Sequence, residues 1–182
     1  MVTQRRRRTV QARAISDQWL QYIRGTVTLS AANTFTQITV ALPVIVGQGM
    51  VIEAHLIEFA LPPAQLADFG ETDDQATFNA QLAKSSQTAI ITLDNPDLIY
   101  GITDEYSTWN ARTAEQAPVL HRLRRGGLNW QFPEPILLPF ENIYFGCNTS
   151  GVAAAPDFQF RLGYKTVRLS PRQLPEMIQA IT

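Results

Sequence analysis

The chain has 182 residues, a formal charge of −1, 45% hydrophobic residues and one cysteine. That length suits one domain with a sizeable core. A lone Cys147 excludes an intrachain disulfide and asks for no oxidising compartment.

The near-neutral total hides an asymmetry. Arg5, Arg6, Arg7, Arg8 and Arg13 stand ahead of the first acid, Asp17. The rest of the chain holds ten basic residues against sixteen acids, a balance of −6. A basic leader ahead of an acidic body is the pattern of a nucleic-acid or membrane arm on a separately folded domain. Residues 1–17 therefore read as the arm and 18–182 as the domain. No long apolar run follows the arginines, so the start is not expected to be a secretory signal. It has the Arg-rich, acid-free composition of a mitochondrial presequence but is short for one. The uncharged run from Thr26 to Ile52 is rich in Thr, Gln and Asn and contains Pro43, which makes it a poor membrane span.

After the arm, short strands alternate with turn residues. In WLQYIRGTVTL, Trp19, Ile23, Val27 and Leu29 share one parity, while Ile15, Trp19, Leu20 and Ile23 also fit a helical stripe that Gly25 would stop. Both readings stay open for residues 15–24. Ala31-Ala32-Asn33 reads as a turn. In TFTQITVAL, Ile38, Val40 and Leu42 alternate with Gln37, Thr39 and Ala41, the period-2 signal of a half-buried strand. Pro43 and Gly47-Gln48-Gly49 break it, GMVIEAHLIEFAL follows, and Pro62-Pro63 closes that run. AQLADFGETDDQ reads as an acidic loop. ATFNAQLA and TAIITL read as two short strands. Residues 94–118 read as a long polar connection with Ile99, Tyr100, Tyr106 and Trp109 embedded. PVLHRLRR is a further strand, and PILLPFENIYFGC is the most apolar stretch, ended by a turn at Asn148-Thr149-Ser150-Gly151. In DFQFRLGYKTVRL, Phe158, Phe160, Leu162 and Tyr164 face one way and Gln159, Arg161, Gly163 and Lys165 the other. SPRQLPEMIQAIT reads as a short helix capped by Ser170, with Pro171 at its first position and Pro175 arguing against a long regular one.

These elements predict an all-β fold, an eight-stranded antiparallel jelly-roll sandwich with a basic N-terminal arm and a short C-terminal helix. The sequence points to no cofactor and no catalytic constellation. His55 and His121 lie in separate strands, and His55 has only Glu53 and Glu58 nearby. A metal-binding cupin needs clustered ligands, so strand histidines with local hydrogen bonds are the preferred reading. Asp68, Glu71, Asp73 and Asp74 form a weak calcium candidate whose spacing is not that of an EF-hand, and a solvated acidic loop is preferred. Arg122, Arg124 and Arg125 form a second basic patch, read equally as a solvated strand end or as a contact with nucleic acid or a neighbouring subunit. Asn148-Thr149-Ser150 matches a glycosylation triplet, which is frequent by chance.

The arginine arm carries the functional expectation. Guanidinium groups fork onto phosphate oxygens, and such contacts are sequence-independent and salt-sensitive. No aromatic residue precedes Trp19, so nothing in the arm reads or stacks on bases. Five charges hold nucleic acid weakly in one copy and effectively in many.

An Arg-rich arm ahead of about eight short strands resembles the single jelly-roll capsid proteins of small icosahedral viruses. The resemblance spans the whole chain and is architectural, with no family-specific motif. It implies a shell of many copies of this chain, about 60 to 180, whose roughly 300 to 900 arm charges would touch viral RNA or DNA inside. It also implies loops such as residues 94–118 at subunit contacts or facing outward, and an arm pinned by neighbours as a short helix or an added strand. The location would be the virion, with host cytoplasm or nucleus during assembly, and no membrane partner. The arm could also serve as a nuclear-import signal. The alternatives are a β-sandwich module binding carbohydrate or protein through an aromatic platform of Tyr106 and Trp109, or a minor virion protein.

Overall fold

The computed structural model describes residues 13–14, 19–60, 75–109, 119–125, 129–152, 155–170, 173 and 175. Ten strands make up the described fold. They are β1 (Arg13–Ala14), β2 (Gln21–Thr28), β3 (Thr36–Ala41), β4 (Met50–Ala60), β5 (Gln75–Ala83), β6 (Leu98–Trp109), β7 (Val119–Arg125), β8 (Asn129–Leu138), β9 (Asn142–Ser150) and β10 (Asp157–Arg168).

The strands form two antiparallel sheets. One runs β2-β10-β4-β8, with β1 alongside β10 beyond the end of β2. The other runs β3-β9-β5-β6-β7. Setting β1 and β7 aside, the remaining eight strands follow the jelly-roll order. The chain changes sheet at nearly every connection, and its first and last long strands lie side by side. β7 is the expected PVLHRLRR strand, which extends the second sheet past the jelly-roll eight, and β1 is an addition to the expected strands.

Period-2 alternation builds the core. Phe158, Phe160, Leu162 and Tyr164 are all buried, as their parity predicts. Val40 and Leu42 are buried on the facing sheet. Rings from the two sheets interdigitate: Phe145 of β9 packs 4.6 Å from Phe160 of β10 and 5.8 Å from Phe59 of β4. Tyr100 of β6 stacks on Phe59, and Trp130 of β8 stacks on Tyr100 at the rim. Ala31–Asn33 turns as expected, with Asn33 in the left-handed region at φ 59°. The Asn33 side chain is tied in both directions to the backbone of Val152. β8 holds Pro133 and Pro135, which an edge strand tolerates because a register shift opposite Ala54–Leu56 leaves residues 132–135 outside the ladder.

Several expectations are corrected. Of the two readings left open for residues 15–24, residues 21–24 take the strand, and Trp19 is 93% exposed rather than sharing the buried face of Val27. TAIITL is not a strand. Its backbone bonds instead to the buried side chain of Gln81, which donates to Ala89 O at 3.1 Å and accepts from Ile91 N at 2.8 Å. Much of the predicted 94–118 connection is β6, a twelve-residue strand with Ile102, Asp104 and Tyr106 buried on one parity. Asn148-Thr149-Ser150 is the end of β9, with Thr149 buried, and the turn comes after it. At the C-terminus Gln173 and Pro175 are helical. The rest of the predicted helix lies outside the described residues.

Candidate nucleic-acid interface

Arg5, Arg6, Arg7 and Arg8 lie outside the described residues. Arg13 lies at the arm's root, in β1. Arg13 pairs with Arg168 and Ala14 with Val167, on the stretch of β10 beyond Tyr164, where β2 ends its pairing. The arm is thus fastened as an added strand within its own sheet. The ladder then places Arg13, Arg168 and Met50 in one row. Arg168 was not singled out from the sequence. The available signal was its place at the end of a strand that also carries Arg161 and Lys165.

The root sits at a definite end of the sandwich. β3 ends and β9 begins there, with Ala41 paired to Asn142, and β5 ends beside them with Ala83 paired to Tyr144. The connections 42–49, 84–97 and 139–141 therefore share an end with β1 and with the exit of β10. Gly49, at φ 74°, closes the first of these and accepts the N–H of Leu169 at 2.8 Å. The connections 29–35 and 151–156 lie at the opposite end, joined by Leu29 N donating to Pro156 O.

The second basic patch falls on β7. The register sets Arg122 opposite Tyr106, Arg124 opposite Asp104 and Arg125 opposite Thr103. Asp104 is fully buried and accepts from the Tyr106 hydroxyl at 3.1 Å. The patch is separated from Arg13 by both sheets' order, since β7 is the far edge of the other sheet.

The outward face of the first sheet carries a polar row across all four strands: Arg24, Arg161, Glu58 and Asn129. Glu58 accepts from Arg161 Nε and, at 3.0 Å, from Asn129 Nδ2. The Arg161 guanidinium also lies 4.8 Å over the Tyr22 ring. The hydrogen bond that Arg161 donates to Glu58 holds its guanidinium above the usual arginine range, so its charge is permanent but already matched. A shallow groove of about 580 Å³ runs beside this row, lined also by Thr26 and Gln159.

The other candidates resolve unevenly. Asp68, Glu71, Asp73 and Asp74 lie outside the described residues. Among the described residues no three His, Cys, Asp or Glu side chains converge as metal ligands. His55 Nε2 is buried 2.7 Å from Glu53 Oε1, out of line for a hydrogen bond, while Glu58 turns to Arg161. His121 is placed on β7, opposite Ser107. Tyr106 does not form an exposed platform. It is buried edge-on against Phe78, with ring centroids 5.6 Å apart. Cys147 is a buried free thiol whose pKa burial pushes well up. Among the described residues no helix is long and apolar enough to cross a membrane.

No protein-family model matches the sequence, and no curated protein does. Among solved structures, an unassembled Washington University Polyomavirus VP1 pentamer is similar at 13% identity and a TM-score of 0.46, over 87% of this chain and 96% of that one. Merkel Cell Polyomavirus VP1 in complex with disialyllactose is similar at 8% identity and 0.46, over 87% and 99%. VP1 of Trichodysplasia spinulosa-associated polyomavirus is similar at 8% and 0.40, over 88% and 100%. The jelly-roll assignment rests on the strand order described above and not on these likenesses.

Proposed function

We propose that this chain is the structural subunit of a viral capsid, that many copies close an icosahedral shell, and that Arg5–Arg8 with Arg13 hold the enclosed genome by its phosphates. The role is architectural rather than catalytic. The observation that carries the reading is the root of the arm. A run of arginines free of acids is fastened by β1 to one end of a jelly roll, beside the exit of β10. If that end faces inward, every copy delivers its arm to the same compartment, and weak individual contacts become an avid lining. Arg168, level with Arg13 at the root, adds a sixth cation to the lining. Arg122, Arg124 and Arg125 lie on β7, at the far edge of the other sheet, and are not part of this lining.

Size-exclusion chromatography and electron microscopy of the purified chain test this directly. The expected outcome is large particles containing nuclease-protected nucleic acid. Deleting residues 1–12 should empty them while the far-UV spectrum and melting curve persist. A monomer or small oligomer free of nucleic acid would instead favour the ligand-binding module.

A further inference from the structure

Two of the most buried side chains face away from the core. Val51 and Val167 are cross-strand partners in β4 and β10, at 0% and 1% exposure. Their parity is opposite to that of Ile52 and Tyr164, which belong to the main core. With Leu169 they form a separate cluster, and Leu137 of β8 is the one partly buried apolar side chain among the described residues packed against it. The cluster therefore lies on the outward face of the first sheet. The face of a sheet turned from its sandwich partner is wet unless another layer covers it. Four aliphatic side chains lying flat on a sheet cannot bring one another to zero exposure.

From this we infer that residues 171–182 form an amphipathic helix seated on the Val51, Val167, Leu169 and Leu137 cluster, bracing the root of the arm. Continuity supports this, because Leu169 is itself a member of the cluster and the chain runs on from it. The helix has a defined start. Ser170 N donates to Gln173 Oε1 at 2.9 Å, Gln173 N donates to Ser170 O at 2.9 Å, and Gln173 and Pro175 are helical. A glutamine reaching back three residues to the N-cap amide is half of a capping box. The sequence beyond supplies the matching surface: Leu174, Met177, Ile178 and Ile181 fall at i, i+3, i+4 and i+7, with Glu176 and Gln179 between them. Reach is adequate. Eight helical residues span about 12 Å, and β8 lies two strand spacings, about 10 Å, from β10. Ala14 pairs with Val167, so a helix on this cluster flanks β1 and ties the two ends of the chain together. The inference rests on the fold and holds whether or not the chain builds a capsid.

Three chains test it against the full-length protein: one ending at Ser170, one carrying Met177→Asp with Ile178→Asp, and a polar-face control, Gln179→Asp. The first two should raise the fluorescence of an apolar-surface dye several-fold and lower the melting temperature by several degrees, and the control should do neither. Unchanged dye binding and melting in the truncated chain would overturn the inference. If the altered chains do not fold, a disulfide decides. Leu137→Cys is combined in turn with cysteine at positions 174, 177, 178 and 181 and then oxidised. A link closing within one chain supports the seat. A link joining two chains makes a second copy the cover and overturns it, as does no link from any of the four.

Discussion

Single residues report how tightly the sandwich is closed. Phe160 is 3% exposed and tilts against Phe145, so Phe160→Ala should cost about 3–5 kcal/mol in denaturant melts. A cost well under 1 kcal/mol would mean that this face is not the packed one. Gly25 probes the same ring from the neighbouring strand, since a Cβ there would lie 2.2 Å from Phe160 Cε1. The ring is held on its other side, so Gly25→Ala should cost about 1–3 kcal/mol by overpacking. Two buried acids set the response to alkali. Burial raises the pKa of both the Cys147 thiol and the Tyr164 phenol. The folded chain therefore keeps protons that the unfolded chain releases, and the contribution is complete below the unfolded values. Stability should fall as the pH climbs past about 8.5, the ordinary thiol value. Urea midpoints between neutral and strongly alkaline pH will show this slope, and Cys147→Ala should flatten its first part.

Elements show where a sequence speaks clearly and where it does not. Gln81 stands in for a missing strand, and Gln81→Met keeps the volume while leaving Ala89 O and Ile91 N without their partner. The expected loss is about 1–3 kcal/mol for each orphaned group that stays buried, with faster amide exchange at Ile91. The same feature explains why TAIITL misleads: its apolar run satisfies its backbone through a side chain, which no periodicity records. β6 escaped notice for the converse reason. Its inward positions include Asp104, so a polar side chain interrupts the alternation of Ile102 and Tyr106 and the segment reads as a polar connection. β10 was legible because four consecutive inward positions are large and apolar, and β3 because Ile38, Val40 and Leu42 alternate with polar residues. The seat of the arm was not legible. Two residues make β1, and a two-residue strand exists only because β10 offers an unpaired edge beyond Tyr164.

Across the whole molecule, charge and shape divide the work. The body carries a surplus of acid that resists collapse onto a polyanion, while the cations gather at one extremity. Replacing Arg5, Arg6, Arg7 and Arg8 with alanine should lower the slope of log affinity against log salt by roughly 3–4 per copy on duplex DNA. Replacing Arg122 and Arg125 should leave that slope unchanged, which filter-binding titrations at several salt concentrations would reveal. The sandwich has two unlike poles: β1 and the exit of β10 share one with the connection closed by Gly49, and the Asn33 turn and the Gly151 bend share the other. In the proposed shell, with the β1 end facing inward, a peptide tag spliced after Gly151 and one fused ahead of residue 1 would meet different worlds. An antibody should decorate the first on intact shells and find the second only after they are broken open, so a single polypeptide offers separate addresses for display and for cargo.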